Sequence, residues 1–185
     1  LLVLDSFAAA TRGVDENDAP RVELTVEGEG ASELRADPSN RFVRALEAAL
    51  AAGGVSGVEG VTWRIAMANR IPLSRGMGSS AAASVGGIVA GDALLGLLGR
   101  ALPAEDRLRI PSEIEGHPDN AAPALLGGFV VSAALEERYE AIRFDVPPEL
   151  VAIVFIPQLW LETRAMREIL PMKVPRADAV ANLGR

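Results

Sequence analysis

The sequence predicts a mixed α+β fold with its strands and helices in separate groups, and three observations carry that prediction. Apolar residues alternate with polar ones at Val22, Leu24 and Val26 and again at Val61, Trp63, Ile65 and Met67, the period of half-buried strands. Between these runs Phe42, Ala45, Leu46, Ala49 and Leu50 recur at helical spacing. A third group, Phe129 to Ala133, Tyr139 to Phe144 and Val151 to Ile156, is rich in strand-forming residues and follows the helical stretches.

The first strand, Arg21 to Glu27, stops at Gly28-Glu29-Gly30, which reads as a turn. Asp37-Pro38-Ser39-Asn40 offers capping side chains to the helix that follows, and Gly53-Gly54 ends it. The second strand feeds through Ala68-Asn69-Arg70 into a glycine-hinged loop, and the next helix spans roughly Ser79 to Leu98. That helix contains Gly86, Gly87, Gly91 and Gly96. Each interior glycine costs about 1 kcal/mol relative to alanine, so the segment predicts a central helix packed closely against its neighbours.

A short charged helix is expected from Ala104 to Ile114, interrupted at Pro111, and another from Ala121 to Leu126 before Gly127-Gly128. A last helix is expected from Thr163 to Leu170-Pro171. Two prolines, Pro147-Pro148, suggest a boundary dividing residues 1–147 from residues 148–185. The chain opens without a methionine inside a strand-like run and ends abruptly, so it reads as incomplete at both ends.

About half of the 185 residues are apolar, enough to bury a core. A net charge of −7 argues against general binding to nucleic acid or anionic membrane and toward small molecules or other chains. The absence of cysteine excludes disulfides and thiolate chemistry and is compatible with a cytoplasmic location. No stretch approaches the roughly 20 uninterrupted apolar residues of a membrane span.

Ile71-Pro72-Leu73-Ser74-Arg75-Gly76-Met77-Gly78-Ser79-Ser80-Ala81-Ala82-Ala83 is the stretch richest in chemistry. Gly76 and Gly78 let the backbone approach a ligand, and the free N–H groups of the helix that follows point outward with the positive end of its dipole. Such a cradle suits a phosphate, and a serine hydroxyl beside it can coordinate Mg²⁺. The loop lacks the Gly-Lys-Ser/Thr ending of the common P-loop.

His117, the only histidine, lies in the polar run Glu113-Ile114-Glu115-Gly116-His117-Pro118-Asp119-Asn120. Alone it reads as a loop residue; within this cluster it suits an amino acid or a metal-bound phosphate. Thr163 and Arg167 share a helical face, so a hydroxyl and a guanidinium can converge on a carboxylate. Taken alone, that segment fits a helix cap and a solvated arginine equally well. Trp63 and Trp160 read as packing residues, Asp5 as a strand-end residue, and the clusters Asp15 to Asp18 and Glu136 to Arg138 as solvated turns.

The loop resembles the phosphate-binding motif of the GHMP small-molecule kinases, Pro-x-x-x-Gly-Leu-Gly-Ser-Ser-Ala, with Met77 in place of leucine. Glu-Gly-His-Pro-Asp-Asn followed by Ala-Ala-Pro-Ala-Leu-Leu-Gly-Gly is similar to the signature of the homoserine kinase branch, and Leu161 to Arg167 resembles a third motif of that branch. The resemblance implies a two-lobe kinase, with an N-terminal lobe like that of a small-subunit ribosomal protein and a ferredoxin-like C-terminal lobe. The implied reaction is transfer of the γ-phosphoryl group of ATP to the hydroxyl of L-homoserine, in threonine biosynthesis.

By that resemblance Pro72, Ser74, Arg75, Gly76, Met77, Gly78, Ser79, Ser80 and Ala81 hold ATP. Ser80 with Glu113 or Glu115 holds Mg²⁺, and His117, Asp119, Asn120, Thr163 and Arg167 hold the amino acid. Asp119 is also the candidate base. No nucleic-acid or membrane partner is implied, and a homodimer is left open. The family's N-terminal segment ending in Gly-Phe-Asp and its C-terminal glycine-rich loop have no counterpart in these residues. Another GHMP kinase, or an inactive nucleotide-binding module of the same fold, stays open; mevalonate-type enzymes place Gly-x-Pro-Ser-Gly-x-Asp where this chain has its histidine run.

Overall fold

The structure, a computed structural model, describes residues 22–37, 39–56, 63–136, 138–156, 171 and 173–183. Strand β1 (Val22–Gly28) and strand β2 (Trp63–Asn69) pair in parallel, with Leu24 opposite Ile65 and Val26 opposite Met67. A parallel pair needs a crossover, which helix α1 (Arg41–Ala52) supplies. The first half of the chain therefore interleaves strand and helix, where separate groups were expected. The register places the apolar positions of both strands on one face, where they join a core with Phe42, Leu46 and Leu50 of α1.

Asn40 caps α1, its Oδ1 accepting the Phe42 N–H at 3.0 Å. Trp63 is buried and its indole N–H donates to Glu47 of α1 at 3.0 Å, a packing role as expected. Val61 lies outside the described residues.

Helix α2 (Ser79–Leu97) is the central helix. A Cβ at Gly91 would come within 2.5 Å of the Ala49 Cβ, and one at Gly87 within 2.8 Å of the Ala45 Cβ. These two glycines are where α1 and α2 approach, and the dense contact offsets their poor helix propensity. By length and composition α2 could cross a membrane, which the reading of uninterrupted apolar runs did not register; half of its apolar window is buried inside the protein.

Helix α3 (Asp106–Glu115) runs unbroken through Pro111, correcting the expected interruption. The proline leaves the Arg107 carbonyl without its helical donor, a penalty of about 3 kcal/mol. Its ring is fully buried between Ile110 and Ser112, and Arg109 bridges the turn by pairing with both Asp106 and Glu113. Tertiary burial outweighs the local rule. Helix α4 (Ala121–Leu126) follows, and strands β3 (Phe129–Ala134) and β4 (Tyr139–Phe144) form a separate antiparallel pair.

Val151 to Ile156 was expected as a strand and has no regular structure. A strand exists by its partner, and this segment has none among the described residues; Ile153 is 95 % and Phe155 is 88 % exposed. Helix α5 (Arg176–Leu183) was not anticipated. The helix expected at Thr163 to Leu170 lies outside the described residues, as does Trp160.

Candidate functional site

The site begins where β2 ends. Asn69 Oδ1 accepts the Ile71 N–H at 3.0 Å, and its Nδ2 donates to the carbonyls of Glu29 (3.0 Å) and Ile71 (3.2 Å) and lies 3.4 Å from Ser79 Oγ. One amide thus ties the strand end, the β1 turn and both ends of the glycine loop together. Between its ends the chain enters the left-handed region at Ser74, Gly76 and Gly78, with φ of 53°, 69° and 74°. The conformation is natural for the glycines and costs of order 1 kcal/mol or more at Ser74.

Gly78 is the N-cap of α2 and supplies no side-chain cap. The two serines that follow do not cap either. Ser79 Oγ faces Asn69, and Ser80 Oγ donates to both oxygens of Glu115 at 2.9 Å. The opening amides of α2 thus have no side-chain acceptor from the cap position, the condition for anion binding there.

Glu115 is the last residue of α3, and its side chain is 7 % exposed. Besides Ser80 it accepts from Ser84 Oγ at 2.9 Å and from Arg41 Nη1 at 2.9 Å. Ser84 stands one turn beyond Ser80 on α2 and is fully buried. Arg41 opens α1 and also donates to the Ile114 carbonyl at 2.9 Å.

Glu113 does not join this group. Its carboxylate pairs with Arg109 at 2.8 Å, is 50 % exposed, and lines a different cleft with Arg44, Ala48 and Ile110. Glu113 and then Asp106 hold the Arg109 guanidinium above its ordinary range. Of the two expected metal carboxylates the structure brings only Glu115 to Ser80, because residues two apart on a helix lie about 200° apart around its axis.

His117 is half-buried, and its Nδ1 faces the carboxylate of Asp119, which is exposed. An Nδ1–H donated to that carboxylate leaves Nε2 as an acceptor. Asn120 lines a cleft of about 520 Å³ with Met77, Gly78, Val85 and Pro123, placing the polar run beside the glycine loop. On the loop's other side a cleft of about 370 Å³ is lined by Arg35, Asn40, Arg41, Ser74, Ser79 and Ser80.

Pro72 is partly buried at the start of the loop, Arg75 Nη1 lies 3.4 Å from the Ser74 carbonyl, and Ala81 is buried whole in the interior, lining neither cleft. Thr163 and Arg167 lie outside the described residues.

Sequence reasoning missed Asn69, Arg41 and Ser84. Arg41 did leave a signal, since a cation in the first turn opposes the helix dipole and calls for a specific partner. Ser84 left a weaker one, a lone hydroxyl one turn beyond Ser80 in an apolar helix.

Residues 40–128 match the family model of the GHMP kinases N-terminal domain. The homoserine kinase of Moorella thermoacetica is 44 % identical over 93 % of this chain and 55 % of its own length, and that of Carboxydothermus hydrogenoformans is 41 % identical over 89 % and 52 %. Among solved structures, a proposed homoserine kinase from Listeria monocytogenes is 32 % identical with a TM-score of 0.59, over 89 % of this chain and 53 % of that one. The homoserine kinase of Cytophaga hutchinsonii, at 24 % identity and a TM-score of 0.68 over 96 % and 57 %, adds likeness of fold alone. The chain spans about half the length of the relatives it matches. On the glycine loop, the polar run and these likenesses together, the chain belongs to the GHMP kinase family and contains that family's N-terminal domain.

Proposed function

We propose that the protein transfers the γ-phosphoryl group of ATP to the side-chain hydroxyl of L-homoserine, giving O-phospho-L-homoserine on the way to threonine. The observation that carries this reading is the meeting of Ser80, at the uncapped start of α2, with the buried carboxylate of Glu115. The similarity to relatives named homoserine kinase selects the acceptor.

Phosphoryl transfer calls mainly for alignment and charge neutralisation. The amides of Gly76 to Ser80 hold the phosphates, and the cleft lined by Arg35, Asn40 and Arg41 receives the rest of the nucleotide. The donor set also fits Mg²⁺. It offers hard oxygens, and the 2.9 Å between Ser80 Oγ and the Glu115 oxygens matches the edge of an octahedron with bonds of about 2.0–2.1 Å. Among the described residues no cluster of three acidic or histidine side chains competes for the ion. When bound, Mg²⁺ neutralises the charge on the phosphate oxygens.

His117, Asp119 and Asn120, with Thr163 and Arg167, position the amino acid, and Asp119 accepts the hydroxyl proton. The boundary between the lobes falls at Pro147-Pro148, where a stretch without regular structure begins after β4. ATP as donor goes with a cytoplasmic location.

The test is ADP release by the full-length protein with Mg-ATP and L-homoserine, L-serine, mevalonate or galactose in turn. Turnover with homoserine alone is expected. Turnover with a different alcohol reassigns the substrate, and ATP binding without turnover on any of them removes the activity.

A further inference from the structure

The two oxygens of Glu115 are unequally engaged. Oε1 accepts from Arg41 Nη1, Ser84 Oγ and Ser80 Oγ, each at 2.9 Å, whereas among the described residues Oε2 accepts from Ser80 Oγ alone, also at 2.9 Å. Arg41 is 43 % exposed and lines the same cleft as Ser74, Ser79 and Ser80. It therefore touches the buried carboxylate while standing in the wall of the cleft where nucleotide is proposed to lie.

Resting on the reading that Ser80 and Glu115 take the divalent cation, we infer that Arg41 is that cation's built-in competitor. It neutralises Glu115 while no nucleotide is bound, and it turns to the polyphosphate when nucleotide arrives. Three physical points lead there. A carboxylate this buried is costly to leave unpaired, and among the described residues Arg41 is the cation on it. A guanidinium and a divalent ion on one carboxylate repel each other, so metal arriving alone must contend with Arg41. A nucleotide brings several negative charges into the cleft that Arg41 lines, and the guanidinium fork suits phosphate oxygens.

The consequence is an order of events. Metal binds weakly to the empty protein and well once nucleotide has drawn Arg41 away, a coupling beyond the attraction between metal and phosphate. The position of Arg41 supports a specific purpose, because a cation in the first turn works against the dipole of its own helix.

The test measures two affinities on the full chain, that of Mn²⁺ alone by electron paramagnetic resonance and that of ATP in EDTA by calorimetry. Arg41→Met is expected to bind Mn²⁺ alone about 5-fold or more tighter and metal-free ATP about 5-fold or more weaker. Opposite movements are the signature, since a merely structural loss weakens both. The inference is overturned if both weaken or if Mn²⁺ binding is unchanged. Arg41→Lys keeps the charge and is expected to return Mn²⁺ affinity toward that of the parent; if it matches Arg41→Met, charge is not the cause and the inference falls.

Glu115→Gln separates this proposal from the reading beneath it. If that variant still binds Mn²⁺ in the presence of ATP as the parent does, the metal reading itself fails. If it loses the metal while Arg41→Met gains nothing, only the competitor role fails.

Discussion

Helix α3 ends in two glutamates that look alike by distance and differ in nearly everything else. Glu113 meets Arg109 at 2.8 Å and Glu115 meets Arg41 at 2.9 Å. Glu113 is half exposed, with Arg109 its one partner among the described residues, whereas Glu115 is 7 % exposed and also engages two serine hydroxyls on α2. At a separation of 4 Å, two unit charges attract by about 1 kcal/mol in water and about 4 kcal/mol at the effective dielectric of a protein surface. Ion-pair length therefore does not single out the working carboxylate; burial and the companion donors do.

The strongest way to break this contrast is Glu115→Gln, which keeps the shape and removes the charge. A loss of at least about 100-fold in kcat with Mg-ATP and homoserine is expected, equivalent to about 2.7 kcal/mol of transition-state stabilisation. Loss below 5-fold in a steady-state assay would place the metal elsewhere. Asn69→Ala comes next, since it releases the loop that presents Ser80. It leaves the Ile71 N–H and the Glu29 carbonyl without their side-chain partner, so a stability loss of about 1–3 kcal/mol in urea and nucleotide binding about 10-fold weaker are expected. Unchanged nucleotide affinity would show that the loop holds its shape unaided.

Ser84→Ala is a smaller and more selective probe. It removes one donor to Glu115 Oε1 while leaving Ser80 in place, so metal affinity in the presence of ATP should fall about 10-fold, as for partners of a ligand, with metal-free ATP affinity unchanged. Equal losses in both would mean that the serine supports the helix and not the carboxylate.

The same contrast shows what could be read from the sequence. The glycine loop, Ser80 and the polar run are chain-local patterns and were legible. So were β1, α1, β2 and α2, where apolar period and burial agree because each element has a covering partner. The choice between Glu113 and Glu115 was not legible, since it depends on which face of α3 turns to α2. Pro111 misled because a local propensity was set against burial that only the tertiary structure reveals. Val151 to Ile156 misled in the opposite sense, having strand composition and no described partner. Helix α5 passed unnoticed because Arg176–Leu183 carries few large apolar residues to mark a face.

The gentlest prediction tests the comparison from its quiet side. Glu113→Gln removes a charge two residues from the proposed metal carboxylate, so a reading based on proximity along the chain expects damage. Its partner Arg109 keeps Asp106, which lies 2.6 Å from Nη2 and is mostly buried, so the guanidinium stays anchored after the substitution. An exposed pair of this kind contributes about 0–1 kcal/mol, and stability measured by urea unfolding should change by no more than about 0.5 kcal/mol. Turnover and Mg²⁺ dependence should stay within about 2-fold of the parent, since a charge on the far face of α3 is screened from the site by the helix and by solvent. A Mg²⁺ requirement that rises 10-fold or more in Glu113→Gln would mean that its field does reach the ion, and the division of labour between the two glutamates would have to be redrawn.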